Sequence, residues 1–397
     1  MILSADKFGY YTVGDLKTYS KLEAIEWQTR TGIWPEWNFN KHIFDSYNWH
    51  IEPTKSLWEM YKERAIQIRN EYDYIVLFYS GGSDSSNILS AWLEAGCKID
   101  EIASMINLEG SSKRRDLYDN ITDIADEPFR LVRPKIKQLQ EQGYKFKFRE
   151  IDICQHTLDF IDLVKDDYFY YMNHSPSPNN IIKAIFRQNI PDYKKLIAEG
   201  KRLCFVWGTE KPSISTDANG WYFAFNDILD NCVNPFVQQR YNDGWYDELF
   251  YWSPDYPEIV IKQAHTVKNY ITAIDTSSQY QTEKTKYGQN PVTKKYLKES
   301  VLKSIIYPKW QETDAFNARA YAAQNTVLRE GFPRLVYSPR DRWFFNNEGI
   351  ELVEKYDKHF HWMFKDLKNN RHYDWIHDVN SLSRSFLKGH VQKHYFA

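Results

Sequence analysis

The pattern of apolar and polar positions changes character near residue 72. Upstream, in residues 1–70, aromatic residues are scattered among polar ones. Within this stretch Leu57, Tyr61, Ala65 and Ile68 recur at helical spacing and predict a helix over 56–69. Downstream, short apolar runs alternate with amphipathic stretches. Residues 74–79, "YIVLFY", predict a strand, 85–95 a helix and 99–108 a second strand, with helices following around 116–125 and 134–142. The run "KFKFREIDI" (145–153) alternates as a half-buried strand does. Helices are expected near 157–164, 180–188 and 192–199, then a strand at "RLCFVWG" (202–208), and "GWYFAFNDI" (220–228) would add another.

Strands and helices in regular alternation imply an α/β class: a mainly parallel, Rossmann-type sheet with helices on both faces. Beyond about residue 234 the alternation ends, and helices are expected over 257–274, 294–306 and 314–329. The expected organisation is a Trp-rich helical cap at 1–70, an α/β domain at 71–235 and a mainly helical substrate or interaction region at 236–397.

Composition narrows the functional classes. A chain of 397 residues has enough length for two or three packed units, and its formal net charge of -2 argues against holding nucleic acid or membrane through an overall field. The 29 Tyr, 23 Phe and 14 Trp favour rigid aromatic packing. Cys97, Cys154, Cys204 and Cys232 form no Cys-x-x-Cys pair, so neither a disulfide framework nor a zinc knuckle is suggested. No leader and no apolar run of spanning length is visible, and the expectation is a soluble, unprocessed cytoplasmic protein.

One loop stands apart chemically. "SGGSDSS" (80–86) follows the first strand of the alternating region and opens a helix, the position at which parallel sheets bind ligands. Gly81 and Gly82 permit backbone torsions closed to other residues, so successive N–H groups can converge on an anion. Ser80, Ser83, Ser85 and Ser86 add hydroxyls, and the helix N-terminus adds about half a positive charge. An ordinary N-cap would explain one serine or aspartate, but not two glycines and four hydroxyls. The chain contains neither G-x-x-x-x-G-K-[ST] nor G-x-G-x-x-G. A loop carrying Asp84 and no lysine suits a polyphosphate accompanied by a metal ion.

"SGGSDSS" resembles the SGGxDS signature of the PP-loop superfamily, the ATP pyrophosphatases of adenine-nucleotide alpha-hydrolase fold, and every fixed position of that signature is present. The superfamily includes the synthetase domain of asparagine synthetases and phosphoadenosine phosphosulfate reductase-like proteins. The resemblance implies ATP and Mg²⁺ as ligands, with attack of a substrate oxygen on the α-phosphate giving an adenylated intermediate and pyrophosphate. By the same resemblance Ser80, Gly81, Gly82, Ser85 and Ser86 would hold pyrophosphate and Asp84 would help bind Mg²⁺, while Ser83 joins the cofactor-binding candidates through its hydroxyl alone. Adenine would be contacted from the end of the second strand, "SMINLEG" (104–110), with Asn107 as the candidate, and Gly208 closes the strand expected beside the loop.

Cations for the phosphates must come from elsewhere. Lys211, in "WGTEKP", follows the strand that ends at Gly208 and either faces the loop, as a catalytic cation, or belongs to a solvated turn. Arg114 and Arg115 are similar candidates, and "HSPSPNN" (174–180) is either a substrate loop or a capped helix start. The aromatic blocks at 248–265 and 306–310 resemble those of uncharacterised PP-loop proteins of large tailed phages, which would place the protein in a host cytoplasm. For Lys262, His265, Lys309 and Trp310 ordinary packing is the favoured role. His390 and His394 stand at i, i+4 without a third ligand at metal spacing, and the lysines between 284 and 298 read as a solvated face.

Absent residues choose among the superfamily's reactions. Without Cys-x-x-Cys, sulfur relay and zinc-dependent nitrile formation are disfavoured, and with Cys232 the last cysteine, thiol-based sulfate reduction is too. The chain begins Met1-Ile2-Leu3, which offers no N-terminal cysteine for glutamine hydrolysis. The expectation is an AMP-forming enzyme that adenylates an oxygen of a small molecule or nucleic-acid acceptor and passes the activated group to an amine-like nucleophile. The alternatives are a phosphoadenosine phosphosulfate reductase-like nucleotide binder, a nucleic-acid base modifier and a nucleotide-binding module without turnover.

Overall fold

The computed structural model describes residues 5–106, 131–152, 186–208, 212–225, 227, 233, 244–275, 299–310 and 392–397. The N-terminal segment forms a three-stranded antiparallel sheet of β1 (Tyr10–Val13), β2 (Leu16–Thr18) and β3 (Glu36–Asn38), in the order β2-β1-β3. Helix α1 (Lys21–Thr31) lies between β2 and β3. Ser20 caps its start by accepting from the Glu23 N–H, and Gly32 ends it in the left-handed conformation. After the short α2 (Lys41–Phe44) comes α3 (Leu57–Glu71), whose start is fixed by a reciprocal capping box between Ser56 and Glu59.

The N-terminal segment carries a sheet as well as the helices expected of a Trp-rich helical cap. Its strands are three or four residues long, too short for the period-2 pattern to register, and Gly14, at φ 59, closes the turn between β1 and β2.

The central sheet is parallel throughout. It contains β4 (Tyr74–Phe78), β5 (Glu101–Ile106), β6 (Lys147–Asp152), β7 (Leu203–Trp207) and β10 (Tyr246–Leu249), in the order β10-β7-β4-β5-β6. Between β7 and β10 in the chain stand β8 (Ile214–Asp217) and β9 (Gly220–Phe225). Helices α4 (Ser83–Glu94), α5 (Arg133–Glu141) and α6 (Pro191–Ala198) connect the sheet strands, and α7 (Glu258–Asp275) and α8 (Glu299–Ile306) follow them. This is a Rossmann-like α/β arrangement. β4 is the first of the five strands in the chain; β5 and β6 add on one side of it and β7 and β10 on the other, so the order reverses between β4 and β7. The crevice outside the carboxyl ends of those two strands is the topological switch point, where open α/β sheets receive ligands.

β10 extends the sheet past residue 235, where the sequence pattern expects only helices. Its sequence, "YDEL", carries two acidic residues that are both buried, Asp247 and Glu248, and they disguise a core strand as a polar turn. Buried carboxylates need partners. Asp247 accepts from Arg187 (2.5 Å) and Trp207 (2.6 Å); Glu248 accepts from Lys7 (2.6 Å), Arg64 (2.5 Å) and Tyr72 (2.5 Å).

"GWYFAF" is a strand, as expected, but not of the parallel sheet. It is β9 in a separate antiparallel sheet, ordered β11-β9-β8, with β11 (Gln392–Tyr395). One hydrophobic cluster joins Tyr11, Trp37 and Phe44 of the N-terminal segment to Ile75 and Val206 of the central sheet and to Phe225 and Phe396 of the small one. No helix among the described residues is long and apolar enough to cross a membrane.

Candidate functional site

Loop 80–86 lies at the switch point, between the end of β4 and the N-terminus of α4. Gly82 is the N-cap of α4 and Ser83 its first residue, so the helix opens inside the serine-rich motif and its first-turn N–H groups face the crevice. The loop holds its shape through its own hydroxyls. The Ser80 N–H donates to Ser85 Oγ (3.3 Å), the Gly82 N–H to Ser80 Oγ (3.3 Å), and the Ser85 and Ser86 hydroxyls to the Gly82 and Gly81 carbonyls (3.2 and 3.3 Å). Gly81 is in the left-handed region at φ 76, and a Cβ there would stand 2.5 Å from Leu131 Cβ, so both torsion and space exclude a side chain.

Ser83 Oγ is buried and has no hydrogen-bond partner among the described residues. Leaving such a hydroxyl unsatisfied costs about 1–3 kcal/mol. An orphaned hydroxyl, a glycine-only bend and a helix N-terminus in one loop fit an oxyanion such as phosphate. The Asp84 carboxylate, on the same first turn, supplies the oxygen donors that a hard divalent cation takes.

Behind the loop stand three buried tyrosines. Tyr307, just after α8, donates its phenol to Asp84 Oδ1, and Tyr251, just after β10, donates to the Asp84 main-chain carbonyl (2.9 Å) while accepting from Asn87 Nδ2 (3.0 Å). Tyr61 of α3 donates to the Ile306 carbonyl (2.7 Å) and accepts from Gln263 Nε2 of α7 (2.9 Å). Burial drives all three phenols well above the ordinary tyrosine range, and the Asp84 charge pushes each the same way, so they stay neutral donors. No sequence pattern marked Tyr251, Tyr307 or Asn87 as neighbours of the loop: 167 and 223 residues separate the two tyrosines from Asp84.

The structure brings Ser80, Gly81, Gly82, Ser83, Asp84, Ser85 and Ser86 together with Gly208, which directly follows β7. A Cβ on Gly208 would stand 3.4 Å from Asp84 Cβ and 3.1 Å from Ile88 Cδ1. Asn107, Lys211, Arg114, Arg115, His390, residues 174–180 and the lysines between 284 and 298 lie outside the described residues. Lys262 is tied to Glu52 (2.8 Å), Lys309 to Glu94 (3.2 Å), and His265 Nε2 lies 2.9 Å from the Trp49 carbonyl, which are packing roles. Among the described residues no group of three His, Cys, Asp or Glu side chains could hold a metal on its own. Burial raises the Cys97 and Cys204 thiols above their ordinary value, the opposite of what a sulfur nucleophile needs.

No protein-family model matches the chain, and no curated protein was found to match it.

Proposed function

We propose that the chain is a PP-loop enzyme that binds ATP with Mg²⁺ at residues 80–86 and cleaves it to AMP and pyrophosphate while adenylating an acceptor oxygen. The observation that carries this reading is the placement of "SGGSDSS" at the switch point between β4 and β7, opening α4 with a Ser83 hydroxyl that has no partner among the described residues. Position, glycine torsion, hydroxyls and helix N-terminus all favour the same ligand charge.

In this role the Gly81–Gly82 backbone and the Ser80 and Ser83 hydroxyls hold the β- and γ-phosphates, and the Ser85 and Ser86 hydroxyls join them by exchanging the Gly82 and Gly81 carbonyls for phosphate oxygens. The acceptor oxygen forms a bond to the α-phosphorus, the bond to the bridging oxygen breaks, and its electron pair leaves with pyrophosphate. Asp84 would hold a divalent cation, which would supply charge neutralisation for the departing pyrophosphate. Lys211, three positions beyond Gly208 in the chain, is the proposed second cation. An amine-like nucleophile then displaces AMP. Positioning and charge neutralisation carry most of the rate in such a scheme.

The test is an assay of AMP and pyrophosphate from ATP·Mg²⁺, native chain against Asp84→Ala, in buffer and then with pooled amino acids, ammonia, transfer RNA or DNA. AMP plus pyrophosphate, lost in Asp84→Ala, is the expected result, and the additive that raises the rate names the acceptor class. ADP as product, or activity indifferent to Asp84→Ala, overturns the proposal. Nucleotide binding with no AMP under any condition leaves a binding module without turnover.

A further inference from the structure

We infer that Tyr307 is a positioning residue of the loop, holding the Asp84 carboxylate in the orientation that receives the divalent cation, so that the segment ending α8 completes a site built on β4 and α4. The inference rests on the nucleotide reading of residues 80–86.

An acidic residue in the first turn of a helix is ordinarily served by that helix's own N–H groups and dipole. Oδ1 of Asp84 also accepts a phenol from far along the chain. Tyr251 pins the same residue from its main-chain side, through the Asp84 carbonyl (2.9 Å). Carboxylate and backbone of Asp84 are therefore fixed by two separate donors from two separate elements. Packing alone would be served by phenylalanine, which fills nearly the same volume and brings no buried hydroxyl to satisfy.

Tyr307 is itself held in place. Its N–H donates to the Lys303 carbonyl (2.8 Å), and the preceding carbonyl, that of Ile306, accepts from Tyr61, which accepts from Gln263. The Tyr251 and Tyr307 rings are 5.3 Å apart, and the Tyr61 ring stands 5.4 Å from Tyr251. Helices α3, α7 and α8 thus fix the phenol before any ligand arrives, as a pre-organised supporting residue requires.

The experiment measures binding, not turnover: the affinity of a non-hydrolysable ATP analogue as a function of Mg²⁺ or Mn²⁺, for the native chain, Tyr307→Phe, Asp84→Asn and the double variant. Tyr307→Phe is expected to leave cation-free affinity unchanged and to raise the cation concentration needed for half-maximal enhancement about tenfold, as loss of a supporting residue behind a metal ligand does. Asp84→Asn should abolish the enhancement, and the double variant should add nothing further.

Equal weakening with and without cation, or a native cation dependence in Tyr307→Phe, overturns the inference alone. Absence of nucleotide binding by the native chain overturns the loop reading together with it. Should Tyr307→Phe fail to fold, hydrogen exchange on the native chain decides. ATP·Mg²⁺ is expected to slow exchange in residues 299–310 along with 80–90, and protection confined to the loop overturns the inference.

Discussion

Gly208 and Asp84 meet across the switch point: a methyl group added to Gly208 would stand 3.4 Å from Asp84 Cβ and 3.1 Å from Ile88 Cδ1. The carboxyl end of β7 is thus pressed against the first turn of α4, the helix that the neighbouring strand β4 leads into. Alanine at 208 meets only the flexible tip of Ile88 at close range and is expected to cost no more than about 1 kcal/mol. Valine adds two methyls to a Cβ that already lies 3.5 Å from the Asp84 main-chain carbon, and is expected to displace it. Gly208→Val is expected to weaken nucleotide binding at least tenfold while Gly208→Ala stays near native, and paired calorimetric titrations and melting curves would show whether affinity falls further than stability.

Gly81 and Gly96 form a matched pair for separating torsion from crowding. Both have positive φ, 76 and 67, but a Cβ at 81 would strike Leu131 at 2.5 Å, whereas at 96 nothing lies within 4 Å. The left-handed conformation alone costs an alanine about 1–2 kcal/mol. Gly96→Ala should therefore lose about that much, measured by urea unfolding, and leave ligand binding intact. Gly81→Ala adds the collision and should move either the loop or Leu131, abolishing nucleotide binding at a protein concentration where the fold persists. Equal effects of the two variants would remove the loop geometry from the explanation.

The sheet and the place of residues 80–86 in it were legible because each signal was local. "YIVLFY" and "RLCFVWG" are continuous apolar runs, as strands buried on both faces must be, and "SGGSDSS" marks within seven residues the turn from a strand into a helix. β10 was not legible. Asp247 and Glu248 read as surface residues until Arg187, Lys7 and Arg64 are brought to them, and those partners lie between 60 and 241 residues away in the chain. β1, β2 and β3 were too short to declare a period. Tyr307 lies in a block that was noticed for Lys309 and Trp310; its partner Asp84 could be found only by folding the chain.

The buried charges around Glu248 are expected to be the most fragile polar feature of the fold. Arg64 and Glu248 are both fully buried, and Lys7 and Tyr72 complete the carboxylate's hydrogen bonds. Removing one partner leaves the other charge uncompensated, which costs about 3–5 kcal/mol, while replacing the pair by apolar residues of similar volume can be neutral. Glu248→Ala should therefore lose about that much in urea unfolding. Arg64→Met together with Glu248→Leu should recover most of it. A double variant as unstable as the single would place the cost in packing rather than in charge.

His394 makes acid stability the measurable property of the C-terminal strand. Its ring stacks on Trp49 at 4.5 Å with planes 13° apart, and burial, opposed by Asp45 and helped by Lys41, lowers its folded pKa from 6.5 to about 4. Between those two values the unfolded chain binds a proton that the folded chain refuses, so stability rises with pH across that window. The full contribution is present above pH 6.5, falls progressively as pH drops toward 4, and is gone below it. One pKa unit corresponds to about 1.4 kcal/mol, so the total for this buried group is on the order of 3 kcal/mol. His394→Phe keeps an aromatic ring beside Trp49 and cannot take the proton. The native chain should lose stability relative to His394→Phe as pH is lowered from 6.5 to 4, read as the difference between their urea midpoints at each pH. A difference that does not change with pH would mean that the ring leaves its pocket and titrates as an ordinary histidine.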